Sequence, residues 1–146
     1  MQKCGRVADI RQMDNYTDNK EWVVLIVEDS PVLRRMLEVT VEPLGVAVDH
    51  AISVREAKQQ IARREPDIIL LDLGLPDGSG TDVLDWLADE GLDDVRVVVA
   101  SGVSDWDVVE RALDAGGVGY LRKPYKPQDV RDLVSRLISI GQRASA

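Results

Sequence analysis

One cysteine, Cys4, and one histidine, His50, are the only side chains of their kind in the 146 residues. A lone cysteine excludes an internal disulfide framework and a cysteine-based zinc site. Basic charge is also short, since 18 Lys and Arg face 26 Asp and Glu and leave a net charge of −8. Broad nucleic-acid surfaces rest on clustered Lys and Arg, so no direct nucleic-acid partner is expected. No apolar run approaches the length of a membrane span, and the N-terminus lacks a signal peptide's apolar core. No membrane partner is therefore expected, and a cytoplasmic protein is the economical reading. There is no internal repeat and no low-complexity tract long enough to join two domains. The length suits one domain with a real core.

What is present is organised around Asp67 to Gly80, DIILLDLGLPDGSG. Four apolar residues, Ile68 to Leu71, read as a strand buried on both faces, as in a parallel sheet. The run breaks at Asp72, and three glycines and a proline then mark a loop that leads into a helix at Thr81. In open α/β sheets, chemistry gathers beyond the carboxyl ends of the strands, where Asp72 would stand.

The remaining segments repeat this grammar. Residues 1–20 are polar, with weakly spaced Val7, Ile10 and Met13, and read as a flexible leader. Trp22 to Val27 is a second buried strand that ends in Glu28-Asp29, and Ser30-Pro31 is an N-cap followed by a first helical residue. Leu33, Met36, Leu37, Thr40, Val41 and Leu44 form one apolar stripe before Gly45. Val46 to Ala51 is a short strand, Ser53 caps another helix that stops before Pro66, and Thr81 to Glu90 is helical with Val83, Leu84, Leu87 and Ala88 inward. Val95 to Ala100 ends in Ser101-Gly102. A helix from Asp105 to Ala115, a strand VGYLR and a helix from Pro127 to about Ile140 complete the chain. Five strands alternating with five helices imply an α/β fold, a parallel sheet with helices on both faces.

Four strand ends then carry polar groups: Glu28 with Asp29, Asp72, Ser101 and Lys123. Two carboxylates roughly 5 Å apart repel by about 3 kcal/mol at an effective dielectric near 20. Such a cluster keeps protons or binds a cation. Oxygen ligands without His or Cys favour a hard ion, Mg²⁺ or Mn²⁺. Aspartate is a covalent nucleophile toward phosphoryl groups, and phosphoryl transfer needs positive charge or donors around the equatorial oxygens. A divalent ion, Lys123, Ser101 and loop N–H groups would supply them.

The constellation resembles the receiver domain of two-component response regulators. The matching pieces are VEDSP at Val27 to Pro31, LLDLGLPDGSG at Leu70 to Gly80, ASG at Ala100 to Gly102 and GYLRKPY at Gly119 to Tyr125. Their order and spacing match from Trp22 to about Gly141, giving a receiver domain at 21–141 and a tail at 142–146. The resemblance implies a flavodoxin-like, doubly wound (βα)5 fold with strand order 2-1-3-4-5. It makes Asp72 the phosphoacceptor, and Glu28, Asp29, Asp72 and the Gly74 backbone carbonyl the metal ligands. Ser101 would contact the phosphoryl group, Lys123 would pair with it, and Tyr120 would be the switch aromatic that turns inward with Ser101. The Lys123–Pro124 bond is usually cis in the family, aiming the lysine into the pocket. A histidine kinase or a histidine phosphotransfer protein would be the donor. The chain would catalyse its own phosphorylation and dephosphorylation without a separate turnover substrate. The downstream protein target is left open, and a second copy of the chain, through the last helix, is a candidate partner.

Other residues have plainer readings. His50 is an ordinary surface residue, and far from the pocket it cannot serve as an internal phosphohistidine. Trp106 reads as a surface or partner-contact residue. Gly78-x-Gly80 is not a dinucleotide loop, because Val83 takes the third glycine's place and no Walker lysine follows. Gly74 and Val103, two residues beyond Asp72 and Ser101, are apolar where receivers vary and a polar group can orient a hydrolytic water, so slow self-dephosphorylation is expected. Two rivals stay open: a receiver-like scaffold that binds partners unphosphorylated, and a metal-dependent phosphohydrolase. Haloacid-dehalogenase-type hydrolases place a second Asp where this chain has Gly74, and unphosphorylated scaffolds usually lose one of the five pocket groups. Flavin binding is remote, because the loop after the first strand is acidic.

Overall fold

A computed structural model describes the backbone of residues 20–102 and 106–145. Most of the expected leader, with Cys4, Val7, Ile10 and Met13, lies outside the described residues, as do Val103 and Asp105. Five strands form one parallel sheet: β1 (Val23–Val27), β2 (Ala47–Ala51), β3 (Ile68–Asp72), β4 (Arg96–Ser101) and β5 (Gly117–Arg122). Their order is β2-β1-β3-β4-β5, the expected 2-1-3-4-5 arrangement. The linking helices are α1 (Pro31–Val41), α2 (Val54–Arg63), α3 (Thr81–Asp89) and α4 (Trp106–Asp114), and α5 (Pro127–Ser145) closes the chain.

The buried strands are apolar on both faces because each face has its own helical layer. Leu25, Val27, Ile69, Leu71, Val97 and Val99 pack with Ala57 and Ile61 of α2 and Val83, Leu84 and Leu87 of α3. Their neighbours, Val24, Ile26, Ile68, Leu70 and Val98, point the other way, onto Leu37 and Val41 of α1 and Val130, Val134 and Leu137 of α5. A period-two split of one apolar run thus fills two cores. Helix starts are set locally. Ser30 Oγ accepts from the Leu33 N–H at 3.3 Å and Ser53 Oγ from the Glu56 N–H at 3.1 Å, each satisfying a donor that has no partner in the first turn. Proline at 43 has no N–H to give. The chain passes there into a 3-10 turn, Glu42–Leu44, which Gly45 closes at φ 80°.

Three local expectations need correction. The loop after Asp72 contains a two-residue hairpin, Gly74–Leu75 against Gly78–Ser79. Ala88 is exposed rather than inward, and the buried face of α3 is made by Thr81, Val83, Leu84 and Leu87. Helix α5 does not stop near Ile140 but continues to Ser145. Gly141 is no terminator there, for a Cβ at this position would collide with Cη2 of Trp22. The glycine lets the helix lie against the indole.

Candidate functional site

All five strands end at one edge of the sheet, so the residues that close them become neighbours. The register keeps the ends in step: Val27 opposes Leu71, Asp72 opposes Ala100 and Ser101 opposes Arg122. Glu28 follows the last residue of β1, Asp72 is the last of β3, Ser101 is the last of β4, and Lys123 follows β5. Glu28, Asp72 and Ser101 are 2%, 6% and 2% exposed, while Asp29 is solvent-exposed.

Glu28 is held from every side. Its N–H donates to Ala51 O at 3.0 Å, and its carbonyl accepts from Arg34 at 3.3 Å. Its carboxylate accepts the Ser30 N–H at 3.1 Å and meets Lys123 Nζ at 3.2 Å. Asp72 Oδ1 accepts the Gly74 N–H at 3.2 Å and stands 3.3 Å from the same ammonium. Lys123 is fixed in turn by its own N–H, which donates to Ser101 O at 2.9 Å, and the Lys123–Pro124 bond is cis. The loop returns beneath Asp72 at Gly80, where a Cβ would lie 2.6 Å from the Asp72 carbonyl oxygen. Only glycine fits so close to backbone.

The electrostatics follow from this packing. Burial pushes the Glu28 carboxyl above its ordinary range, and the Asp72 charge adds to that push; the Ser30 N–H and the Lys123 ammonium oppose it without cancelling it. Burial acts on Lys123 too, in the direction of losing its proton, but the attraction of Asp72 and Glu28 together outweighs it and leaves the ammonium pKa raised. Tyr125, packed against the α1–α5 core, has its phenol pushed up to about 12 by burial and by the negative charge of Glu28 and Asp72.

One carboxylate oxygen from each of Glu28, Asp29 and Asp72 lies within 4.8 Å of the others. Three carboxylates against one ammonium leave two negative charges, the charge of one divalent cation. The donors are hard oxygens, and burial already disfavours the charged form of Glu28. This acidic pocket therefore fits a divalent metal ion.

The remaining expected residues sit further out. Tyr120 lies within β5, opposite Val99, and is half-buried. Its ring meets that of Trp106 edge-on, with centroids 6.0 Å apart and planes at 79°. Trp106 itself is 55% exposed, as expected of a surface residue. His50 is two strands from Asp72, and its Nε2 is 3.2 Å from Glu38 rather than in the pocket. Sequence reasoning passed over Arg34, which anchors the Glu28 carbonyl, and Asp77, which lies unremarked in the loop marked by glycine and proline. An arginine one turn after a helix start beside an acidic strand end was the available signal for Arg34.

The model of the family described as "Response regulator receiver domain" matches residues 24–135. The chain belongs to this family. The receiver domain is 39% identical over 127 residues to the KDP operon transcriptional regulatory protein KdpE of Escherichia coli (strain K12), covering 84% of this chain and 52% of that protein. It is 32% identical to the response regulator protein PilR of Pseudomonas aeruginosa, covering 80% of this chain and 26% of PilR. The chain thus spans about half or less of the curated relatives it matches. Among solved structures it superposes on the signal receiver domain of a Vibrio parahaemolyticus protein described as a Luxo repressor, with TM-score 0.80 and 29% identity, covering 86% of this chain and 96% of that one. The signal receiver domain of a signal transduction histidine kinase from Syntrophus aciditrophicus matches with TM-score 0.73 and 31% identity, covering 81% and 90%. Among the described residues, no helix is long and apolar enough to cross a membrane.

Proposed function

We propose that this receiver domain is a phosphorylation-operated switch whose acceptor is Asp72. The observation that carries the reading is the Asp72 carboxylate itself, closing a buried strand with Lys123 Nζ at 3.3 Å and two further carboxylates beside it. Glu28, Asp29 and Asp72, with the Gly74 carbonyl, would hold Mg²⁺ or Mn²⁺, which supplies positive charge to the equatorial oxygens of the transferring group.

The chain's own part is positioning. A carboxylate oxygen of Asp72 attacks phosphorus in line as the bond to the donor breaks, so one P–O bond forms while the donor leaves with its bonding pair and takes up a proton. Lys123 neutralises charge on the arriving group, and the Ser101 hydroxyl donates to it. The donor is a separate molecule, since the chain's single histidine stands on the edge strand at Glu38, and the likeness to the receiver family makes it a histidine kinase or a histidine phosphotransfer protein. A cytoplasmic location goes with that donor. The chain turns over no separate substrate.

An aspartyl phosphate adds close to two negative charges and three acceptor oxygens. Ser101 and Lys123 regroup around it, and Tyr120 beside Trp106 is the aromatic placed to change packing with them. Moving a switch from 1:99 to 99:1 takes about 5.5 kcal/mol of differential interaction, within reach of a few charge-assisted hydrogen bonds. The output is a protein contact on the surface around Tyr120, with a second copy of the chain as a further candidate through α5.

Intact mass after incubation with acetyl phosphate and Mg²⁺ tests the reading, with Asp72→Asn alongside. One added phosphoryl group, lost in the variant and without metal, is the expected result. Metal binding with no adduct would leave an unphosphorylated scaffold, and steady phosphate release with no adduct would point to a hydrolase.

A further inference from the structure

The loop that follows Asp72 is fastened at its far end to a helix that supplies none of the site residues. Asp77 Oδ1 accepts the Val54 N–H at 2.8 Å and Oδ2 accepts the Arg55 N–H at 3.0 Å. These are the first two amides of α2, donors that the helix itself cannot satisfy. Ser53, the residue just before α2, takes the Glu56 amide, so the two caps divide the first turn between them. A carboxylate is well matched to that end of a helix. The two N–H groups accordingly hold the Asp77 carboxyl below its ordinary range.

Between Asp72 and Asp77 the loop has few ways to move. Gly74 pairs with Ser79 and Leu75 with Gly78, Pro76 restricts the turn, and the Gly80 N–H donates to Leu73 O at 3.0 Å. The loop is a short arm, tied at its base to β3 and at its tip to α2. The base tie includes the Gly74 N–H on Asp72 Oδ1. A tip left free would leave that amide to the two-residue hairpin and to the ties at the base, Leu73 N–H to Ala100 O and Gly80 N–H to Leu73 O, both at 3.0 Å; so short a pairing is marginal by itself.

We infer that Asp77 is a positioning residue of the phosphoacceptor site: by clamping the hairpin tip to the start of α2, it pre-sets the 74–80 arm against Asp72 for cation and phosphoryl binding. The inference rests on the function proposed above. It adds that the pocket's order is maintained from α2, some twenty residues earlier in the chain. Binding a cation to a loop already in place avoids the entropy of ordering it then. Removing the clamp should therefore weaken metal binding without removing any ligand.

The test uses the full chain and four proteins: wild type, Asp77→Ala, Asp77→Asn and Ser53→Ala. Titration calorimetry reads Mg²⁺ affinity, hydrogen exchange reads the amides of residues 73–80, and thermal unfolding reads stability. Asp77→Ala should weaken Mg²⁺ binding about tenfold, as loss of a supporting contact around a metal site typically does, and should speed exchange in the arm. Asp77→Asn keeps one acceptor oxygen and should recover part of both effects. Ser53→Ala removes a cap from the same helix and should lower the melting temperature while leaving Mg²⁺ affinity and arm exchange at wild-type values. Unchanged affinity in Asp77→Ala, or equal weakening in Ser53→Ala, would reduce Asp77 to an ordinary helix cap and overturn the inference. A wild type that binds Mg²⁺ but takes no phosphoryl group from acetyl phosphate would instead sink the functional reading beneath it.

Discussion

Replacing Lys123 by alanine puts the charge balance of the pocket to a direct test. The ammonium stands 3.2 Å from Glu28 and 3.3 Å from Asp72. At an effective dielectric near 20, each pair attracts by about 5 kcal/mol before desolvation. Much of that is cancelled by the hydration the three groups lose, but taking one partner out of a buried pair strands the others and costs about 3–5 kcal/mol. The lysine side chain is 22% exposed, so solvent screening places the expected loss at the lower end, about 3 kcal/mol at neutral pH without metal.

Two conditions should shrink that loss. Mg²⁺ supplies the missing positive charge and binds the folded state, so in saturating metal the deficit should be smaller. Acid should also help. Burial already holds the Glu28 carboxyl above its ordinary value, and without the ammonium it rises further. A carboxyl whose pKa is raised in the folded state binds its proton more tightly there than in the unfolded chain. The variant therefore gains stability relative to wild type as pH falls from neutral toward the ordinary glutamate range, and loses it again as pH rises. Urea unfolding of both proteins over that pH range, with and without MgCl₂, measures all of this. A deficit independent of both pH and Mg²⁺ would mean that Lys123 acts through packing, and the charge argument would be wrong.

Gly141→Ala should destabilise by about 1–3 kcal/mol, because its methyl group would collide with the Trp22 ring; a melting temperature equal to wild type would show that α5 does not pack there. The Tyr125 phenol, raised to about 12, should appear as a late step in a phenolate absorbance titration, and that step should vanish in Tyr125→Phe. Its stabilisation is present below the ordinary tyrosine pKa of about 10 and is lost as pH rises toward the folded value. The phosphorylated chain should hold its phosphoryl group for minutes or longer in Mg²⁺, since Gly74 and Val103 offer no polar side chain to orient water; a half-life of seconds, followed by intact mass, would contradict this.

The site was legible because each of its parts is a local event in the chain. An apolar run of four to six residues stops at Glu28, Asp72 or Ser101, or ends shortly before Lys123, and each stop can be read without knowing its neighbours. Parallel topology then does the gathering, because every crossover brings the next strand end to the same edge. What positions these groups has no such local mark. Asp77 bonds to amides 22 and 23 residues earlier in the chain, and its sequence context, Pro-Asp-Gly, is as good a turn as any. Gly141 has the neighbourhood of a helix terminator, yet it is fixed by an indole more than a hundred residues away. Arg34 looks like one more charged residue on an amphipathic helix until its reach to the Glu28 carbonyl is known. A strand end needs only its own residues to declare a polar group at the edge. A clamp needs two segments in register, and register depends on the packed fold as a whole.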